Sequence, residues 1–328
     1  MKISIALCTY NGARFIGEQL QSLACQTRLP DELMVCDEGS ADTTLEIVED
    51  FAARAPFEVL YARNERRLGI TKNFERAIAR CSGDVIFLCD QDDVWLAHKI
   101  ETLMQSFEHH GDVGLVFSDA ILTDAQLNHF DYTMWDTVEL TPKLQAQMNQ
   151  GQALAILVRR HVVTGATLAF RASLRARILP IPACYFHDAW VAAVSSMYAR
   201  VLAVKTPLIL YRQHGANAIG GVRRSRLARL RHALGQTPDW FDLEIERARI
   251  LREKLCSSAR QAGIARHVVD LERRIVHLES RRAIFDLAFI PRARLVAREV
   301  LSLRYSFFSG GLNAALLDLV AKGQRRLT

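Results

Sequence analysis

Long apolar runs are missing from this chain. None of its 328 residues falls in a stretch approaching the roughly 18 to 20 apolar positions that cross a bilayer. After Met1-Lys2 it enters ISIALCTY, which is too short and lacks a cleavage site for a secretory signal. A cytoplasmic location is therefore expected. Paired cysteines are missing too. Cys8, Cys25, Cys36, Cys81, Cys89, Cys184 and Cys256 are odd in number and form no C-x-x-C spacing, so neither a disulfide framework nor a zinc knuckle is indicated. No zinc finger, aromatic single-strand platform or homeodomain-like pattern occurs, so no nucleic-acid partner is expected. Internal repeats and low-complexity tracts are also absent.

What is present is material for a folded core. The chain is 50% hydrophobic and 24% charged, enough for one large or two modest domains. Its net charge of +6 hides an asymmetry: residues 1–222 carry 20 Lys/Arg against 25 Asp/Glu, and residues 223–328 carry 22 against 11. A basic tail of this kind is a solvated helical face or a surface for an anionic membrane.

Along the chain, short apolar runs alternate with helical periodicity. ISIALC is a strand, Asn11-Gly12 a turn and EQLQSLACQ a helix. Leu33–Cys36 is a second strand, followed by the turn Asp37–Ser40 and a helix with Leu45, Val48 and Phe51 on one face. Strands at 58–62 and 85–89 and a helix at 71–79 continue the alternation, and a helix is expected over 96–107. Alternation of this sort implies parallel crossovers and a layered α/β sheet. Beyond Ser118-Asp119 the pattern loosens over 128–150, a strand pair or bend surrounds Gly165, and HDAWVAAVSSMYA opens a helix. VLAVKTPLILYRQHG reads as two short strands interrupted by Pro207, and helices follow from about residue 223, with long stretches over 239–288 and 292–305.

In open α/β sheets ligands collect beyond the carboxyl ends of the strands, and Thr9, Asp37 and Asp90–Asp93 all fall there. In VIFLCDQDDVW, three carboxylates within four positions raise one another's pKa unless a counter-ion relieves them. Mg²⁺ or Mn²⁺ held by one or two carboxylates and phosphate oxygens would do so. The alternative is a solvated turn with Asp93 capping the next helix.

SIALCTYNGARFIGEQLQSLACQT, VCDEGSADTT and GDVIFLCDQDDVW, followed by VTGATLAF, FHDAW and YRQHGANAIG, together resemble a family 2 inverting glycosyltransferase of GT-A fold. The set looks most like bacterial rhamnosyltransferase-type members that build surface polysaccharides, and it spans about residues 1–222. The resemblance implies a mostly parallel sheet flanked by helices, then a helical extension over 223–328. It implies a nucleoside diphosphate sugar donor, dTDP-L-rhamnose or a UDP-sugar, and a saccharide acceptor, including one carried on a polyprenyl diphosphate.

Residue by residue, the resemblance places Thr9, Tyr10 and Asn11 in the nucleotide pocket and the Asp37-Glu38 pair near the base, although the family more often has Asp where Glu38 stands. Asp90 is directed to the ribose and Asp92 to the metal. Asn64, Lys72 and Asn73 are further pocket candidates, Lys72 reading equally as an exposed helix lysine. Asp188 is the candidate base, its alternative being an ordinary helix cap. His187 would orient it, and Trp190 would floor the acceptor sugar or pack in the core. Arg212 would neutralise diphosphate charge, and His214 would join the metal or donate to phosphate.

The tail carries arginine clusters at 223–226, 273–274, 281–282 and 292–298, with aromatics at 305–308. It is expected either to lie on the inner face of the cytoplasmic membrane, to pack on the catalytic domain or to form a homodimer. Two rivals remain. One is a catalytically silent scaffold that binds nucleotide sugars. The other is a nucleotidyltransferase, which would open with a Gly-rich basic phosphate loop that Leu7–Phe15 does not supply.

Overall fold

A computed structural model describes residues 1–214, 236–258 and 264–320. It divides into two compact units, Met1–Arg223 and Arg224–Thr328. Gly215 to Gly220 of YRQHGANAIG, the cluster Arg223-Arg224-Ser225-Arg226, and Leu227, Leu230 and Leu234 lie outside the described residues.

In the first unit, β1 (Ile3–Thr9), α1 (Ile16–Ala24), β2 (Glu32–Asp37), α2 (Thr44–Ala52), β3 (Glu58–Arg63), α3 (Ile70–Arg80) and β4 (Val85–Asp90) follow the alternation read in the sequence. β1, β2 and β4 are buried almost throughout and rich in Ile, Val and Leu, as strands covered on both faces must be. β1 pairs in parallel with both β2 and β4, and β2 with β3. Then come β5 (Val94–Trp95), α4 (Lys99–His109), β6 (Val113–Thr123), β7 (His129–Thr133), several short helices, β8 (Leu168–Arg171), α5 (His187–Tyr198) and β9 (Arg200–Arg212). The nine-stranded sheet runs β3-β2-β1-β4-β8-β6-β9-β5, with β7 on β6. β8 is antiparallel to both neighbours, and β9 is parallel to β6.

Two elements differ from expectation, and at Gly165 one of two alternatives holds. β9 is one continuous strand through Pro207, because the pairing with β6 shifts register on both sides of Asp119, opposite Pro207, so no ladder bond is asked of the missing N–H. Around Gly165 the structure has the bend of the two alternatives, a 3₁₀ turn Gly165–Thr167 leading into β8. α4 begins at Lys99 without a side-chain cap, so Asp93 caps nothing there.

In the second unit α6 (Pro238–Ser257) and α7 (Ile264–Ala283) replace the single stretch expected over 239–288. Phe241, Ile245, Ala248, Leu251 and Leu255 are buried at helical spacing on α6. Ion pairs join the two helices: Arg274 to Glu244 at 2.9 Å, Arg249 to Glu279 at 2.6 Å and Arg282 to Asp242 at 3.2 Å. α8 (Phe289–Leu301), α9 (Arg304–Phe308) and α10 (Leu312–Val320) enclose a second small core of Ile284, Val296, Tyr305, Ala314 and Ala315.

Candidate active site at the strand ends

Three loops meet beyond β1, β2 and β4. Thr9 is buried and donates to Asp37 Oδ2 at 2.8 Å. Asn11 adopts a left-handed conformation (φ 47°), so its N–H donates to Ser40 Oγ at 2.8 Å and its side-chain oxygen accepts from Ala41 N at 2.9 Å. Gln91 clasps both backbone groups of Tyr10, accepting from its N–H at 2.8 Å and donating to its carbonyl at 3.1 Å. A Cβ on Gly12 would stand 2.2 Å from Gln91 Oε1, so a side chain there would displace the Gln91 amide from its clasp on Tyr10. Tyr10 is left exposed, with the Arg67 guanidinium 3.9 Å over its ring.

The Asp37-Glu38 pair does different work from that implied by the resemblance. Asp37 is fully buried and accepts from Gly39 N, Ser40 N, Thr9 Oγ1 and Ser40 Oγ, at 2.5–2.9 Å. Four donors fill a carboxylate's lone-pair sites, which leaves none for a base. Glu38 is 5% exposed and holds the following loop through Leu68 N at 2.9 Å and Gly69 N at 3.0 Å. Asn64 and Asn73 are buried braces: Asn64 donates to Asn73 Oδ1 at 2.9 Å, and Asn73 donates to Cys36 O at 2.8 Å. Lys72 spends its ammonium on Glu75 and the Ile181 carbonyl, at 2.8 and 2.7 Å, and so does not serve the donor.

The carboxylates after β4 are crowded. Burial, then the charges of Asp92 and Asp188, push Asp90 up to about 7. Burial, then Asp92 and Asp90, raise Asp93, whose Oδ1 accepts from Arg212 N at 3.1 Å. Its Oδ2 is buried and has no hydrogen-bond partner among the described residues. Asp92 Oδ2 lies 2.9 Å from His214 Nε2. Beneath them is a residue that no motif pointed to. Lys99 is fully buried, with its ammonium 3.5 Å over the Trp95 ring and donating to Ala166 O at 2.5 Å. Burial lowers it to about 7, against the opposing pull of Cys89, Asp93 and Asp90.

Arg212 is 2% exposed and is not a diphosphate clamp. It donates to Asp92 O at 2.9 Å and Ala125 O at 2.7 Å and pairs with Glu18 at 2.5 Å. Its role is to brace the acidic loop, because a guanidinium with these partners has few donors left to offer.

Asp188 opens α5. It is 6% exposed; its Oδ2 accepts from Gly165 N at 3.0 Å, and its Oδ1 accepts from Ala189 N at 2.7 Å and pairs with His161 Nε2 at 3.0 Å. Burial opposes its ionisation, but His161, His187 and these donors outweigh burial and hold it well below the usual carboxylate range. His187 does not reach toward Asp188 by hydrogen bonding. It stacks on Phe74 at 3.9 Å, both its ring nitrogens lack hydrogen-bond partners among the described residues, and burial lowers it to about 4, so it is a neutral core ring. Trp190 is likewise core: it is 3% exposed and donates to Ile178 O at 2.8 Å, so it cannot floor an acceptor.

The rim thus unites Thr9, Tyr10 and Asn11 with Asp90, Asp92, Asp93 and His214, and the charge of Asp188 reaches Asp90. Sequence reasoning passed over Gln91, Lys99 and His161. Gln91 stood in the motif as its variable position, Lys99 sat beside apolar helix residues, and His161 lay in a loop. A divalent cation fits one part of this set. Asp92 and His214 are already in contact, and one buried oxygen of the neighbouring Asp93 has no hydrogen-bond partner among the described residues. Among the described residues no three His, Cys, Asp or Glu side chains converge to hold a cation by themselves, so water and phosphate would complete the coordination of Mn²⁺ or Mg²⁺.

Comparison with known proteins bears on the fold and the family. An uncharacterized glycosyltransferase of Nostoc sp. is 25% identical over 223 residues, 66% of this chain and 66% of that protein. An Escherichia coli UDP-Glc:α-D-GlcNAc-diphosphoundecaprenol β-1,3-glucosyltransferase, WfgD, is 32% identical over 99 residues, 30% of this chain and 38% of that one. The chain therefore spans about two thirds or less of these relatives' lengths. Among solved structures, S. aureus TarS 1-349 in complex with UDP-GlcNAc aligns with a TM-score of 0.61 at 16% identity, covering 97% of this chain and 90% of that one. The mannosyltransferase PcManGT of Pyrobaculum calidifontis, in complex with GDP-Man and Mn²⁺, aligns with a TM-score of 0.50 at 16% identity, covering 100% and 88%. The shared fold is the mixed, mostly parallel GT-A-like sheet flanked by helices and followed by a helical region. The model described as Glycosyl transferase family 2 matches residues 4–174, more than half of the length, and on that match the chain belongs to this glycosyltransferase family.

Proposed function

We propose that this protein transfers a sugar with inversion from a nucleoside diphosphate donor, dTDP-L-rhamnose or a UDP-sugar, to a saccharide of a growing surface polysaccharide carried on a lipid diphosphate. The observation that supports the reading is Asp188, paired with His161 at 3.0 Å and close enough to the acidic strand end for its charge to act on Asp90. The lipid-linked acceptor is supported by the name of the Escherichia coli relative, and the nucleotide sugar by the donors bound to the two solved structures.

In this reading Tyr10 and Arg67 present the exposed surface for the base, and Thr9 and Asn11 shape the loop beneath it. Asp90 and Asp92 face the ribose and diphosphate. A Mn²⁺ or Mg²⁺ ion held by Asp92 and His214 would neutralise charge on the departing nucleoside diphosphate. Asp188 takes the proton of the acceptor hydroxyl as that oxygen bonds to the anomeric carbon, from the face opposite the breaking bond to phosphate. Because Asp188 is ionised throughout the physiological range, its proton transfer is late, occurring once the hydroxyl has become acidic.

A second assignment of the base rests on one observation: His161 is 37% exposed, while the Asp188 side chain is 9% exposed. In that version His161 takes the proton and Asp188 orients its ring, as in other carboxylate–imidazole pairs.

Calorimetry of a nucleotide and nucleotide-sugar panel, with and without Mn²⁺ or Mg²⁺, on wild type and Asp92→Ala tests the donor site. Cation-dependent binding of one nucleotide, lost in the variant, is expected; a silent scaffold would bind but not turn over. NMR of the product anomer tests inversion. If Asp188 is the base, His161→Gln keeps the rate within about 10-fold while Asp188→Asn does not; equal losses assign the proton to His161.

A further inference from the structure

The arginines of the second unit fall into two groups. On α6 and α7, Arg247, Arg249, Arg274, Arg281 and Arg282 are engaged in ion pairs within the unit. On α8 to α10 the balance reverses. Residues 287–320 contain only two acids, Glu299 and Asp318, and both are turned inward. Glu299 meets His277 at 2.9 Å and Arg304 at 2.8 Å, and Asp318 takes a two-pronged contact from Arg281 at 2.7 and 3.0 Å. Outside, Arg294 and Arg298, the latter only 3.8 Å from Glu299 and still 66% exposed, stand among Phe289, Ile290, Leu301, Phe307, Leu312 and Leu316, each of these apolar side chains more than half exposed.

The spacing makes this a face rather than a scatter. On α10, Leu312, Leu316 and Val320 recur every four residues on the outside, while Ala314, Ala315 and Asp318 point into the small core. On α8, Ile290, Arg294, Arg298 and Leu301 follow the same rule, with Val296 and Glu299 inward. Packing through Val296, Tyr305, Ala314 and Ala315 makes the two helices neighbours. The result is a surface of large apolar side chains and guanidinium groups that bears no outward carboxylate among the described residues.

We infer that the outer face of α8 to α10 is a docking surface for an anionic lipid bilayer, with its apolar side chains at the headgroup boundary and its arginines on lipid phosphates. Charge decides the occupant. A second copy docked on the same face about a two-fold axis would offer these arginines no outward carboxylate, whereas an anionic leaflet offers phosphate to each. The inference rests on the proposed lipid-linked acceptor for its purpose but not for its evidence, since such an acceptor resides at the membrane.

The test is co-sedimentation of the full chain with vesicles of phosphatidylcholine alone or mixed with phosphatidylglycerol, with size-exclusion light scattering alongside. Wild type is expected to sediment with the mixed vesicles, not with phosphatidylcholine alone, and to be released by salt. Arg294→Glu with Arg298→Glu, and separately Phe307→Ser with Leu316→Ser, should each weaken partitioning about 10-fold or more, with circular dichroism and melting unchanged. All four side chains are exposed, so neither variant disturbs the core. Three results would overturn the inference: no sedimentation of wild type with either vesicle, undiminished binding by both variants, or a wild-type dimer that the apolar variant dissolves while no vesicle is bound. Nucleotide calorimetry on the same samples reports the enzymatic reading separately, so the two can fail independently.

Discussion

In the second unit Glu299 and Asp318 are buried among donors that account for their charge, whereas at the strand ends Asp90, Asp92 and Asp93 are crowded against one another. Asp318 has Arg281 and the Tyr305 hydroxyl at 2.5–3.0 Å, and Glu299 has His277, Ser280 and Arg304. Asp93 has one backbone N–H and an orphaned oxygen, and the nearby buried cation, Lys99, is itself lowered to about 7. A paired buried carboxylate fixes a fold, since removing its partner strands a charge in a medium that cannot solvate it. A carboxylate left short of partners costs stability and is retained where something else completes it.

The contrast can be broken at several points. The largest effect is expected at Asp188, where Asn should lower kcat by about 10²–10⁴-fold with donor affinity unchanged, measured by steady-state transfer and calorimetry. Arg281→Met leaves Asp318 buried without its cation and should cost about 3–5 kcal/mol in denaturant unfolding, while nucleotide binding by the folded protein persists. Asp93→Asn should do the reverse. Removal of a poorly partnered carboxyl group, whose ionisation burial and its acidic neighbours oppose, is expected to leave the melting temperature unchanged or raise it by a few degrees, while cation-dependent donor binding weakens.

The smallest effect is at Glu32, a buried carboxylate far from the rim in role. Burial raises it, but the hydroxyls of Ser4 and Ser82 and the Ser82 N–H outweigh that and lower it to about 2. A depressed carboxylate stabilises the fold above its unfolded pKa, near 4, and loses that contribution as pH falls through its folded value. Glu32→Gln should therefore destabilise at pH 7 and converge on wild type as pH drops from about 4 to about 2, followed by thermal melting. A constant difference across that range would assign its effect to packing instead.

Much of this was legible in the sequence. Hydrophobic alternation located β1 to β4 and α1 to α3, because strands buried on both faces and amphipathic helices leave different periods. The acidic loop, Asp188 and His214 were singled out through motif order. The errors share one cause: a residue's type does not reveal where its lone pairs or ring will be spent. Asp37 and Glu38 look available in a string, yet the N–H groups of Gly39 and Ser40 in its own turn occupy Asp37, and those of Leu68 and Gly69, 30 and 31 positions on, occupy Glu38. Trp190 sits on α5, which is buried almost all round, so no period separated its exposed positions from its core ones. Lys99 and His161 gain their meaning only from partners 67 and 27 positions away, Ala166 and Asp188.

One consequence of the Arg212 brace concerns the order of synthesis. The acidic loop is held by β9, through Val94 opposite Leu210, Arg212 on Asp92 and Asp93, and His214 on Asp92, a partner that emerges 122 residues later. At about 5–20 residues per second, a growing chain carries that loop for on the order of 10 s before its clasp exists. The first four strands can pair in that interval, but the carboxylates stay solvated and separate. The site is therefore the last part of its unit to be assembled, and a nascent chain that stops short of β9 has a sheet without an active centre.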